Sequence, residues 1–242
     1  MPYFSVVIPV YNKEAWIGRT LKAVLGQTFS DFEIILVDDG STDNSVSIAE
    51  SFHSRKLKII RQHNSGVSAA RNAGVSVSKG KYIAFLDADD YWFEDHLEEG
   101  KKFLNTFKDY PWYSSTPIIK DEKYSLCNIN RKATKYYFLN YVSSGSKYTH
   151  SSSVIIRKDI AIRHPFPVGI TNFEDGIAFM QISVDYPEIA INARTTICYV
   201  NHTNSSSKIK INRGINKFRI AIDRLTEIQS THYQANNHIL KT

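Results

Sequence analysis

Residues 82–90, YIAFLDADD, form a hydrophobic run that ends in three carboxylates. Such a run is typical of a strand buried on both faces, in a sheet covered by helices. Ligands of these sheets bind beyond the carboxyl ends of the strands, so Asp87, Asp89 and Asp90 are predicted on the floor of a crevice. Carboxylates this close repel one another, and a hard divalent cation with bound phosphate would neutralise them. The alternative is a solvated acidic turn before a helix.

Upstream of this stretch, three further apolar runs alternate with helical patterns. Strands are predicted at 4–10, 32–37, 57–61 and 82–86, and helices at 13–27, 42–52, 67–77 and 93–107, with Ser41 or Thr42 capping the second helix. This alternation favours a parallel, right-handed wound sheet whose turns lie at one rim. The loops after each strand are therefore expected to line one cleft.

The chain after residue 107 has a weaker pattern. Strands are predicted at 112–119, 152–156 and 189–200, and a helix follows Glu174-Asp175. Residues 121–145 are polar, rich in aromatic residues and without periodicity, which indicates an insertion or an acceptor-facing lobe.

The composition indicates a globular α/β protein. The chain has 242 residues, of which 42% are hydrophobic, enough for a substantial core. Its two cysteines, Cys127 and Cys198, have no CxxC spacing and favour a reducing compartment. No apolar run is long enough to cross a bilayer, and the chain enters its first strand without a secretory leader, so a cytoplasmic location is expected.

The C-terminal segment carries most of the excess positive charge. Residues 208–242 contain seven Lys and Arg residues and two acids, a net charge of +5 within a formal total of +6. Apolar residues recur there on one helical face: Ile211, Ile215, Phe218, Ile222 and Leu225. A basic amphipathic helix of this kind could contact the inner face of an anionic membrane, pair with a partner helix, or dock on its own domain. Nucleic acid is disfavoured, because the rest of the chain has no basic patch interleaved with aromatic residues.

Three residues near the predicted rim suit a nucleotide. Asp39 can accept a hydrogen bond from a uracil imide or a ribose hydroxyl, and Tyr11 can stack on a base. Arg71 offers a guanidinium group to base carbonyls or phosphates. Each also has a structural alternative: an Asx turn for Asp39, a half-buried core position for Tyr11 and a surface ion pair for Arg71. Their coincidence at one rim favours binding.

Four blocks, in this order and spacing, resemble family 2 glycosyltransferases of the GT-A fold. They are VVIPVYN at 6–12, VDDGSTD at 37–43, GVSAARNAG at 66–74 and FLDADD at 85–90. The resemblance is strong over residues 3–107 and thinner to about 203. It implies an α/β fold with a Rossmann-like wound mixed sheet and helices on both faces. Residues 1–107 would form the nucleotide-sugar half, 108–205 the acceptor half and 206–242 a helical tail.

The resemblance also implies an activity and a set of site residues. The activity is metal-dependent, inverting transfer of one hexosyl or N-acetylhexosaminyl group from a nucleotide sugar, expected to be a UDP-sugar, to a hydroxyl of a glycan or lipid-linked acceptor in surface polysaccharide assembly. The donor would contact Pro9, Tyr11, Asp39, Arg71, Asp87 and Ala88, and Mn²⁺ or Mg²⁺ would bind Asp89 and His202. The chain has no Gln-x-x-Arg-Trp block, so it resembles a non-processive enzyme.

Glu174-Asp175 resembles the Glu-Asp pair of this family. By that resemblance Asp175 is the general base that removes the proton of the acceptor hydroxyl, and Glu174 orients the acceptor. The alternative is an acidic helix N-terminus without a catalytic role.

Two other functions remain open. A sugar-phosphate nucleotidyltransferase shares the wound sheet and acidic site, but would carry a Gly-rich loop where this chain has Tyr11-Asn12-Lys13-Glu14. A non-catalytic module that binds nucleotide sugars is disfavoured by the presence of Asp87, Asp89 and Asp175.

Overall fold

The computed structural model describes residues 1–119, 150–170, 173–186 and 189–199. The strands are β1 (Phe4–Val10), β2 (Phe32–Asp38), β3 (Leu57–Arg61), β4 (Tyr82–Phe85), β5 (Tyr91–Trp92), β6 (Trp112–Ile119), β7 (Val154–Arg157) and β8 (Ala190–Tyr199). The helices are α1 (Ile17–Leu25), α2 (Ser45–Glu50), α3 (Val67–Val77), α4 (His96–Thr106), α5 (Lys158–Arg163) and α6 (Glu174–Asp185). One 3₁₀ turn covers Ser151–Ser153.

The strands of the described ranges form one mixed sheet in the order β3-β2-β1-β4-β7-β6-β8-β5. The first four strands of the chain are mutually parallel, as the βαβ spacing predicts. Strand β7 runs antiparallel to both β4 and β6, and β5 runs antiparallel to β8. The mixed sheet confirms the predicted α/β fold class.

Strand β1 lies near the centre of the sheet and is fully buried. Its even-numbered side chains, such as Ile8, belong to the same core cluster as Leu21 of α1. On the opposite face, Val7 packs so closely against Gly74 of α3 that a Cβ there would collide with it. Helices therefore cover both faces of the sheet, which explains why the central strands β1 and β4 are buried at every position.

Pro9 lies in β1 at a place where it disrupts no pairing. The carbonyl of Val7 accepts a hydrogen bond from Leu86, so odd-numbered residues of β1 direct their backbone groups toward β4. Pairing with β4 ends at Val7, so the missing N–H of Pro9 interrupts no ladder.

Three predicted helix starts are wrong: α1 begins at Ile17 rather than Lys13, and the starts of α2 and α4 also lie later in the chain. Helix α2 begins at Ser45 rather than Thr42, because the Thr42 backbone N–H donates to the side chain of Asn12 and the Ser41 hydroxyl accepts from the Asn12 N–H. Helix α4 begins at His96 rather than Phe93. The carbonyl oxygens of Phe93 and Glu94 accept hydrogen bonds from the side chain of Gln27 and the backbone N–H of Thr28, which holds this segment outside the helix.

Several predicted features lie outside the described residues. They are the insertion at 121–145, His202 and the amphipathic helix at 211–225. Within the described ranges, every helix is too short or too polar to serve as a membrane span.

Candidate functional site

Helix α1 holds the backbone of the turn at residues 87–90, here named the acidic turn. The Thr20 hydroxyl lies 2.8 Å from the carbonyl oxygen of Ala88 and 2.7 Å from that of Asp90. Arg19 Nη2 donates to the carbonyl oxygen of Asp89 at 2.7 Å. These contacts hold the backbone of the acidic turn through its carbonyl oxygens. The carboxylates of the turn therefore interact with other residues.

Arg71 of α3 is the main partner of Asp87. The guanidinium is buried, and its Nη2 donates to Asp87 Oδ1 at 2.7 Å and to Ser151 Oγ at 3.0 Å. The Ser151 hydroxyl also donates to Asp87 Oδ2 at 3.1 Å. Burial alone would raise the pKa of Asp87, but the positive charge of Arg71, helped by His150, offsets this and holds that pKa below its usual value. Asp87 is therefore a half-buried, ionised carboxylate.

The same guanidinium holds Glu174 at the start of α6. Arg71 Nη1 lies 3.0 Å from Glu174 Oε1. Burial and the neighbouring Asp175 raise the pKa of Glu174, and Arg71 opposes that rise. One buried cation thus joins the acidic turn after β4 to the Glu-Asp pair of α6, two motifs far apart in the sequence.

Asp175 lies half-buried beside this network. Its Oδ1 accepts a hydrogen bond from the N–H of Gly176 at 2.7 Å, and its charge acts on both Arg71 and His150. The preceding residue, Phe173, has φ of 67°, an unfavourable left-handed conformation for a bulky side chain. This strained residue lies immediately before α6, next to the Glu-Asp pair.

The sequence analysis did not anticipate His150, which completes a group of possible metal ligands. Its Nδ1 lies 3.6 Å from Asp90 Oδ2, and its Nε2 lies 4.0 Å from Asp87 Oδ2. One ligand atom from each of Asp87, Asp90 and His150 lies within 4.8 Å of the others. Two carboxylates with an imidazole form a donor set that suits Mn²⁺. His150 follows an unpatterned stretch, and nothing in its sequence neighbourhood indicates the contact.

Asp90 is the most deeply buried of the three acids. It has no exposed surface, and the Ser152 hydroxyl donates to its Oδ2 at 2.6 Å. Burial raises the pKa of Asp90 to about 7, and the charges of Asp87 and Asp89 add to the rise while His150 opposes it. The carboxylates of Asp87 and Asp90 hence differ strongly in acidity within one turn.

Asp89, the predicted metal ligand, lies in the same turn and pairs with a lysine. Lys13 Nζ lies 2.5 Å from Asp89 Oδ2. Lys13 follows β1 in the loop that the sequence predicts at the rim, although the ion pair itself has no sequence signal. The other predicted metal ligand, His202, lies outside the described residues.

The predicted nucleoside contact Asp39 organises the loop at residues 62–66, here named the nucleoside loop. Asp39 Oδ1 accepts from Gln62 Nε2 at 2.7 Å and from the Ser65 N–H at 2.9 Å, and Oδ2 accepts from the Gly66 N–H at 2.8 Å. Gly66 has φ of 89°, which favours glycine. Since a carboxylate offers about four acceptor positions, one remains on Oδ2 for a ligand donor.

The other predicted donor residues occupy different environments. Tyr11 is 46% exposed at the end of β1, where its ring is accessible to a base. The side chain of Ala88 is buried in the core cluster. Arg71 is directed at Asp87 and Glu174, so its guanidinium is already engaged by protein groups.

Comparison with known proteins adds a family and a fold. The model of glycosyl transferase family 2 matches residues 5–161. An uncharacterized glycosyltransferase of Haemophilus influenzae is 27% identical over 232 residues, which cover 92% of this chain and 86% of that protein. Further bacterial glycosyltransferases are 40–46% identical over 93 to 101 residues. The aligned segments span only 14–32% of the length of those proteins.

Two solved structures share the fold. The crystal structure of Staphylococcus aureus TarS 1–349 in complex with UDP-GlcNAc matches with a TM-score of 0.75 and 20% identity, over 86% of this chain and 61% of that one. The mannosyltransferase PcManGT of Pyrobaculum calidifontis, in complex with GDP-Man and Mn²⁺, matches with a TM-score of 0.67 and 19% identity, over 85% of this chain and 59% of that one.

Proposed function

Because this chain belongs to glycosyl transferase family 2, we propose that it transfers one sugar, with inversion, from a UDP-sugar to a hydroxyl group of a glycan or lipid-linked acceptor. One observation carries the proposal. Arg71 binds Asp87 of the acidic turn at 2.7 Å and Glu174 of the Glu-Asp pair at 3.0 Å, so the donor motif and the catalytic pair share one site.

A divalent cation, Mn²⁺ or Mg²⁺, would bind at the acidic turn. Asp89 is the ligand that the family resemblance implies, and Asp87, Asp90 and His150 of the same region place one ligand atom each within 4.8 Å of one another. When bound, the cation stabilises the negative charge of the departing nucleoside diphosphate as a Lewis acid. Thr20 and Arg19 hold the turn in place through its carbonyl oxygens, which keeps the carboxylates oriented toward the cleft.

Asp175 is the proposed general base. Inversion requires a base on the face of the sugar opposite the leaving group, and a carboxylate there takes the proton of the acceptor hydroxyl. Glu174 is less suited to this role because its Oε1 is paired with Arg71. Glu174 instead fixes the start of α6, and with it the position of Asp175.

The nucleoside loop is the proposed binding place of the base and ribose. Asp39 Oδ2 has one remaining acceptor position, which matches the single imide N–H of uracil. Tyr11 is exposed beside it and offers a stacking surface. TarS was solved with UDP-GlcNAc, which supports a UDP-sugar as donor.

The proposal extends to the acceptor and the cellular setting. Several relatives are bacterial glycosyltransferases, in keeping with surface polysaccharide assembly. The basic segment 208–242 would hold the protein at the cytoplasmic face of a membrane, close to a lipid-linked acceptor.

A thermal-shift screen tests the donor part of the proposal. UDP-GlcNAc, UDP-glucose, UDP-galactose and GDP-mannose are each added with and without Mn²⁺. A ligand present at a hundred times its Kd stabilises the native state by about 2.7 kcal/mol, which is readily measured as a rise in Tm. We expect a rise with at least one UDP-sugar that depends on Mn²⁺ and is reduced in Asp39→Asn but not in Asp109→Asn, an exposed control. The absence of a shift with every nucleotide sugar would contradict the proposal.

A further inference from the structure

Lys13 connects the loop after β1 to the acidic turn through the charge of its side chain. Its backbone N–H donates to Ser45 Oγ at 2.7 Å, which anchors the loop after β1 to the start of α2. From this anchor the side chain extends to the acidic turn, where Nζ lies 2.5 Å from Asp89 Oδ2. The side chains of Lys13 and Asp89 are 26% and 17% exposed, so the pair is partly shielded from water.

Each carboxylate of the acidic turn has a cationic neighbour. Asp87 contacts Arg71, Asp90 faces His150, and Asp89 contacts Lys13. Arg71 is buried and rigidly placed, whereas Lys13 carries a compact ammonium on a flexible stem at the edge of the cleft. Unlike that of Arg71, the side chain of Lys13 can hence leave with little rearrangement of the core.

We propose that the Lys13 ammonium occupies the position of the cation at Asp89 before the donor binds, so that Lys13 and a divalent cation compete for this carboxylate. The inference rests on the proposed function, in which Asp89 is a cation ligand. Two positive groups cannot approach one carboxylate oxygen together without strong repulsion. A metal ion therefore binds only after the lysine side chain has moved away.

The competition has a consequence for the order of binding. A partly exposed ion pair is modest in strength, so Lys13 lowers the affinity for a free cation by about three- to tenfold rather than preventing its binding. A diphosphate brings additional oxygen ligands and negative charge, which favour the cation over the ammonium. Lys13 thus keeps the acidic turn neutralised between turnovers and favours the arrival of the cation together with the nucleotide.

Calorimetric titration of Mn²⁺ into the full chain without nucleotide tests the inference. The variants Lys13→Met and Lys13→Gln remove the charge with nearly the same length, and Lys22→Met is the control because Lys22 is exposed on α1. We expect both Lys13 variants to bind Mn²⁺ about three- to tenfold more tightly than the wild type. The control is expected to stay within about twofold, since solvent and salt screen its charge.

Asp89→Asn separates this inference from the proposed function. If Asp89→Asn weakens Mn²⁺ binding but neither Lys13 variant tightens it, the competition is wrong and the cation site stands. If the wild type binds no Mn²⁺, or Asp89→Asn binds it as tightly as the wild type, both the cation site and the competition are wrong. Thermal unfolding of each variant establishes that the compared proteins are folded, and Lys13→Gln provides the measurement if Lys13→Met is unstable.

Discussion

Asp39 and Asp87, the carboxylates that follow β2 and β4, are held in different ways: Asp39 is buried, whereas the side chain of Asp87 is 21% exposed. Asp39 is held by uncharged donors, the amide of Gln62 and two backbone N–H groups of the nucleoside loop. Asp87 is held by the guanidinium of Arg71 and by the hydroxyl group of Ser151. The geometry of the nucleoside loop is therefore set by hydrogen bonds and backbone conformation, whereas the acidic turn is set by a balance of charges.

The difference matters because substitutions in buried charge pairs and in neutral hydrogen bonds lower the free energy of unfolding by different amounts. Removing one partner of a buried pair leaves an uncompensated charge in a medium of low polarity, which costs more than a lost neutral hydrogen bond. The acidic turn should hence respond strongly to charge substitutions, and the nucleoside loop should respond mainly to substitutions that alter its shape.

The largest effect is expected for Arg71→Met, which leaves Asp87 and Glu174 without their shared cation. We expect a loss of about 3–5 kcal/mol in the free energy of unfolding, measured with urea. Arg61→Met is the matched control, because Arg61 pairs with Glu50 at the surface and should lose less than about 1 kcal/mol. Equal losses in the two variants would show that the charge balance of the acidic turn is unimportant.

A smaller effect is expected for Asp39→Asn. The substitution keeps one acceptor oxygen and replaces the other with an amide nitrogen, so at least one of the donors from Gln62, Ser65 and Gly66 loses its partner. The expected loss of unfolding free energy is about 1–3 kcal/mol, measured by the same urea titration. If Asp39→Asn lowered the free energy of unfolding as much as Arg71→Met does, the proposed difference between the acidic turn and the nucleoside loop would be wrong.

The pH dependence of stability provides a third comparison, with a buried group that belongs to neither loop. His96 of α4 stacks on Trp92 with ring centroids 4.2 Å apart, and burial lowers its pKa to about 3. The folded protein keeps His96 neutral while the unfolded chain takes up a proton, so stability is lost as the pH falls from about 6.5 toward 3. The slope contributed by this residue is roughly 1 kcal/mol per pH unit.

The variant His96→Phe isolates that contribution, since its ring can retain the stacking on Trp92. Unfolding free energies measured between pH 6.5 and 5 should fall less steeply in the variant than in the wild type. Identical slopes would mean that the acid sensitivity arises elsewhere, for example at the acidic turn.

The smallest effect is expected for Gly66→Ala in the nucleoside loop. At φ of 89° and ψ of 161°, a conformation essentially restricted to glycine, a methyl group meets nothing within 4 Å, so the cost is backbone strain alone, about 1–2 kcal/mol. Gly18→Ala in α1 has ordinary helical geometry and should instead stabilise the protein by about 0.5–1 kcal/mol. Thermal unfolding of the pair should therefore shift Tm in opposite directions, and a shift in the same direction would contradict the role of backbone conformation.

The sequence predicts the N-terminal half of the fold well for a physical reason. The central strands β1, β2 and β4 are largely apolar runs, because helices cover both faces, and each run ends at a polar turn. Strand β5 and the 3₁₀ turn at Ser151–Ser153 have no such pattern. They form through pairing with distant segments, which local periodicity does not encode.

The candidate site was predictable only in part. The spacing of the four blocks brings Asp39, Arg71 and Asp87 to one rim, but it does not determine which groups compete for each side chain. Arg71 was expected to face the donor, and the structure directs its guanidinium between Asp87 and Glu174. A donor contact through Arg71 stays a prediction.

The central claim is that Asp175 activates a hydroxyl for attack on a nucleotide sugar bound at the acidic turn. Its most direct test is the rate of UDP release from a UDP-sugar with Mn²⁺, with water as the acceptor, in Asp175→Asn and in the exposed control Asp109→Asn. Loss of a general base should slow release by about a hundredfold or more, and the control should match the wild type. Wild-type rates in Asp175→Asn, or no UDP release by the wild-type protein from any UDP-sugar, would contradict the claim.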